Sequence, residues 1–120
     1  MNTSQIIRYI RKQGCKVKLY HDRHLFRDKS MGHYSEDERG SIIEVAVKGH
    51  TKEMVNATLI HEFAHFLQSV DGFMSYINDN YGGWAKFTAW VEGKNFSEEE
   101  VIRARDGILL LEYDAEVRTL

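Results

Sequence analysis

One segment limits what this chain can fold into more than any other. Lys52–Val70 reads as a single helix. Thr51 can cap its start, Asp71-Gly72 ends it, and Val55, Leu59, Ala64, Phe66 and Leu67 give it apolar surface to bury. Inside it lies His61-Glu62-Phe63-Ala64-His65. Residues four apart on an α-helix face the same way, so both imidazoles can reach one metal ion. Glu62 follows the first of them and can hold and deprotonate a water activated by that ion. A helix with apolar surface to pack is the rigid element such a constellation needs.

The other elements fall into place around this helix. Ser4 is expected to cap a first helix, with Ile6, Ile7 and Ile10 on one face and Gly14 as its stop. Lys16–Tyr20 alternates as a half-buried strand does. His21–Lys29 is polar and reads as loop. Met31–Ser35 predicts a short strand, Asp37–Gly40 a turn, and Ile42–Val47 a strong β run broken by Gly49. Phe73–Asn95 is rich in aromatics and glycine, and predicts a loop with a short helix around Trp84–Val91. Ser97 with Glu100 three residues later is a capping box opening a last helix from Glu98. Early strands and late helices predict an α+β fold, with two or three strands in a small antiparallel sheet packed against helices.

Composition removes several function classes. At 120 residues and 42% hydrophobic content the chain suits one soluble globular domain, 1–120. Cys15 stands alone, which excludes an internal disulfide framework and a cysteine-only zinc site. The formal charge of -2 gives no overall basic footprint for nucleic acid. Arg8, Arg11, Lys12, Lys16 and Lys18 cluster early and read as the solvated face of a helix and strand. There is no membrane-length apolar run and no signal-peptide core, so a cytoplasmic location without membrane contact is expected.

Two histidines do not complete a catalytic zinc site, which usually takes three protein ligands and keeps one position open. Asp71 stands where an extended HExxHxxGxxH-type pattern ends, but Gln68 occupies the position where that pattern needs glycine. The last helix offers more. Glu112 and Glu116 are four apart and share a face, so one can bind metal while the other hydrogen-bonds a ligand histidine. Glu112 is the preferred third ligand. Asp114 points to another face and, with Asp71, stays open as an alternative. Gln68, within a turn of His65, is a candidate for supporting the ligands from behind.

HEFAHFLQ followed by LEYDAE resembles the gluzincin-type metallopeptidases, in which HExxH on one helix is completed by a glutamate on a later one. Nearest in scale are the ImmA/IrrE-like domains, the single-domain minigluzincins and small HExxH proteins of phages and bacteria. The resemblance implies a zincin-like fold with one Zn²⁺ held by His61, His65 and Glu112, with Glu62 as general base. Glu116 then matches the family's acidic or amide residue one turn on, although Asp or Asn is more familiar there. The resemblance also implies an edge strand above the metal cleft, with Gly32-His33-Tyr34 and Ile42–Val47 forming that sheet. The expected activity is hydrolysis of amide bonds in a polypeptide held in extended form. The expectation from another class is a regulatory or interaction module whose metal site is structural or vestigial. The last helix ends close after Glu116, so a minimal domain, or one truncated at its C-terminal end, is expected.

Other residues carry less. His50 reads as a turn histidine, and His21, His24 and His33 lack a ligand spacing. Tyr76, Tyr81 and Tyr113 are candidates to stabilise an oxyanion. Trp84 and Trp90 read as core or lid residues. Cys15 reads as a small buried apolar residue.

Overall fold

The computed structural model describes residues 1–120. The chain is α+β, in the order α1 (Thr3–Lys12), β1 (Cys15–Tyr20), β2 (Gly32–Asp37), β3 (Gly40–Ala46), α2 (Lys52–Val70), α3 (Phe73–Tyr81), α4 (Gly83–Val91) and α5 (Glu98–Arg118). It divides into two compact units, Met1–Phe66 and Leu67–Leu120, with α2 contributing residues to each.

In the first unit, α1 begins two residues earlier than its Ser4 signal suggests. Asn2 is the cap: its side chain accepts from the Gln5 amide and the Gln5 side chain accepts from the Asn2 amide, both at 2.9 Å. This reciprocal box satisfies two amides that otherwise lack partners, which places Ser4 inside the helix. The amphipathic spacing then turns Ile6 and Ile10 inward.

The sheet has the order β1-β3-β2. The β2–β3 pair is an antiparallel hairpin, closed where Asp37 pairs with Gly40. The β1–β3 pair is parallel, so the sheet is mixed and not wholly antiparallel. Strand alternation reveals which side chains share a face, but not the direction of a partner across a long connection. Here alternation does separate the faces. Cys15, Val17, Ile43 and Val45 turn to one side and join Ile6, Ile10, Val55, Leu59 and Phe66 in a single core. Each such side chain, fully buried, is worth about 1.5–3 kcal/mol. The other side carries Lys18, Tyr20, His33 and Glu44. The Tyr20 hydroxyl donates to Glu44, and His33 Nε2 lies 3.1 Å from the same carboxylate. The Tyr20 hydroxyl foremost, with His33 after it, holds the Glu44 carboxyl below its ordinary range. Cys15 is buried, and burial pushes its thiol up to about 11.

The edge strand β2 lies tight against α2. A Cβ on Gly32 would stand 2.5 Å from Thr58 Cγ2, so only glycine allows this approach. Further along, the Tyr34 and Phe66 rings meet edge-on with centroids 6.2 Å apart. Thr58, Glu62 and Phe66 form one i, i+4 row on α2, and β2 touches the residues on either side of Glu62.

In the second unit, Phe73–Tyr81 is helical where its composition predicts loop. Its one fully buried residue, Ile77, packs toward α5 rather than toward anything nearby in sequence. Helix α5 opens on the expected box, the Glu100 amide donating to Ser97 Oγ at 3.2 Å. Its inward residues are Ala104, Gly107, Leu111 and Ala115. A Cβ on Gly107 would stand 2.5 Å from Tyr81 Cβ and 3.2 Å from Ile77 Cγ2, so α3 and α5 meet closely because this side chain is missing. Trp84 and Trp90 are largely exposed, which removes them from the core.

Candidate metal centre

Helix α2 runs over the predicted residues, Lys52–Val70, and keeps its motif in regular helix throughout. The His61 and His65 rings stand edge to face with centroids 4.9 Å apart, as side chains one turn apart should. Both are half-buried, while Glu62 is buried at 8% exposure. On α5, Glu112 is half-buried. One ligand atom from each of His61, His65 and Glu112 lies within 4.8 Å of the others. Two imidazole nitrogens and one carboxylate oxygen form a donor set that suits a first-row divalent ion. Three donors also leave a position for water or substrate.

No other trio of histidine, cysteine or carboxylate side chains comes together in this way. His33 is engaged with Glu44, and His50 Nε2 lies 2.7 Å from the His24 carbonyl oxygen. Glu116 lies one turn beyond Glu112 and is exposed.

Asp71 and Asp114 converge on a different group. Arg118 donates from Nε to Asp114 at 2.5 Å and from its terminal nitrogen to Asp71 at 2.6 Å. The guanidinium beside Asp71 holds that carboxyl below its ordinary range, aided by the Phe73 amide. Gln68 is fully buried and donates to the Leu111 carbonyl at 2.9 Å and to Asp114 at 2.8 Å. The last turn of α2 is thereby tied to α5 beside Glu112. A buried amide without such partners would cost several kcal/mol. Arg118 is the participant that the sequence alone left unassigned. Its i, i+4 spacing from Asp114 was the available signal, but the link to Asp71 spans 47 positions.

Of the tyrosines considered for an oxyanion, Tyr113 and Tyr76 are mostly exposed, and Tyr81 lies under the Arg103 guanidinium. No helix is long and apolar enough to cross a membrane. No protein-family model matches the sequence, and no curated protein or solved structure matches it significantly.

Proposed function

We propose that this protein is a zinc-dependent peptidase of the gluzincin type. The carrying observation is that His61 and His65 of α2, the helix that also carries Glu62, and Glu112 of α5 offer three ligand atoms within 4.8 Å of one another. A zinc ion held by these three would lower the pKa of a water toward ~7 and polarise the substrate carbonyl. Glu62 accepts the proton of the attacking water and returns it to the leaving amine. Its burial favours this role, since a carboxylate shielded from bulk water exchanges protons with the reacting groups rather than with solvent. Gln68, donating to the Leu111 carbonyl and to the Asp114 carboxylate, holds α5 on either side of Glu112. Glu116 is the candidate to support a ligand from one turn further on.

The proposed substrate is a polypeptide in extended form. Strand β2 is hydrogen-bonded to the sheet on one side only and runs beside the Thr58–Glu62–Phe66 row. A peptide adding to its open edge would gain main-chain hydrogen bonds and lie near Glu62.

The test joins metal content to turnover. Protein reconstituted with zinc should bind one ion and cleave members of an unstructured peptide library. Glu62→Gln should keep the ion and lose activity by about 10²–10⁴-fold. Cleavage by Glu62→Gln at the parental rate would remove Glu62 as the base. A parent that binds zinc tightly and cleaves nothing would favour a structural site.

A further inference from the structure

The cationic residues of this chain are unevenly placed. The first 21 residues carry five Lys/Arg and no Asp/Glu, while the other 99 carry eleven Lys/Arg against eighteen Asp/Glu. The first unit gathers part of that early charge around a groove of about 620 Å³, lined by Ser4, Arg8 and Arg11 of α1, by Lys18, and by His21 just beyond β1. Its apolar lining is Ile7, Val17 and Leu19. A second hollow of about 410 Å³ adjoins it, sharing Arg11 and Val17 and adding Lys16. No acidic side chain lines either hollow. Arg11 stands where they meet, its guanidinium fixed by a 3.0 Å bond to the Val17 carbonyl.

We propose that this groove binds a short acidic segment of a polypeptide. Three features select that occupant. Arginine forks and a lysine match carboxylates spaced along an extended chain, and a guanidinium already held in place loses less freedom on binding. The aliphatic lining fits peptide stems, whereas single-stranded nucleic acid is usually held by stacking its bases on aromatics, and no Phe, Tyr or Trp lines either hollow. The acidic balance of the remaining 99 residues repels a long polyanion that overruns the groove, but tolerates an acidic stretch confined to it. From Ser4 to Arg11 the groove follows α1 for about 10 Å, which accommodates about three extended residues.

The groove lies along β1, at the opposite edge of the sheet from β2. It shares no residue with the metal centre, so it does not depend on the peptidase reading.

The measurement is fluorescence anisotropy of a labelled hexaglutamate peptide, at low and physiological salt, with the zinc-free and zinc-loaded full chain. Saturable binding that weakens with salt and ignores zinc is expected. The exposed Arg8→Glu and Lys18→Glu should each weaken it by about tenfold, with unchanged circular dichroism. Lys52→Glu, outside the groove, should leave it intact. Absence of hexaglutamate binding, or equal loss in all three variants, overturns the proposal. Tighter binding of a six-nucleotide oligothymidylate than of hexaglutamate overturns it in favour of nucleic acid.

Discussion

Helices α2 and α5 are both long, and each carries part of the candidate centre, but they are held by opposite means. In the first unit α2 is fixed by bulk: Val55, Leu59 and Phe66 fill a core shared with α1 and the sheet. In the second unit α5 is fixed by absence of bulk: Ala104, Gly107 and Ala115 are small enough for neighbours to come close, and a polar clamp of Gln68, Asp114, Arg118 and Asp71 secures its far end. A helix held by filling fails when emptied. A helix held by closeness fails when filled.

This contrast can be broken by experiment. The largest stability effect belongs to α2. Leu59 is fully buried, and Leu59→Ala should cost about 2–5 kcal/mol in urea unfolding. A loss under 1 kcal/mol would mean that the core does not hold this helix. On α5 the informative change adds an atom. Gly107→Ala gains up to ~1 kcal/mol of helix propensity. The new methyl, however, meets the rigid Cβ of Tyr81 at 2.5 Å, and overpacking of this kind costs about 1–3 kcal/mol. A net lowering of the melting temperature is expected, and a rise would refute the close-approach account.

The smallest effect concerns the clamp. Arg118 depresses the pKa of Asp71, so the pair contributes stability above the unfolded carboxyl value near ~3.9, and that contribution fades as pH falls through the depressed folded value. Asp71 is 49% exposed, which limits its share to about 0.3 kcal/mol. Asp71→Asn should therefore be slightly less stable than the parent at pH 7, with the gap closing toward pH 2. A gap that widens in acid would reverse the sign of this argument.

The same contrast explains what could be read from sequence. Helix α2 announced itself through local signals, a cap, a stop and apolar residues in register, and its bounds emerged as expected. The box at Ser97 did the same for α5. Helix α3 was illegible because what it packs on is an absence, Gly107, about thirty positions away. The β2–β3 hairpin was visible in its turn residues, whereas the parallel direction of β1 depended on a connection with no pattern of its own. For the candidate centre, the HExxH spacing is set within one helix and was legible. Glu112 was singled out by its i, i+4 spacing from Glu116 and the need for a third ligand, with the resemblance agreeing, whereas the engagement of Asp71 and Asp114 by Arg118 could only be seen in three dimensions.

Cys15 gives this protein a built-in reporter. The residue is 2% exposed and its thiol, at about 11, holds almost no thiolate near neutrality. Alkylating reagents therefore meet a silent group while β1 stays in its sheet. As the chain has no second cysteine, any labelling registers a single event, the opening of the first unit's core. The slow uptake of a thiol dye becomes a clock for that opening, readable without adding a probe to the molecule.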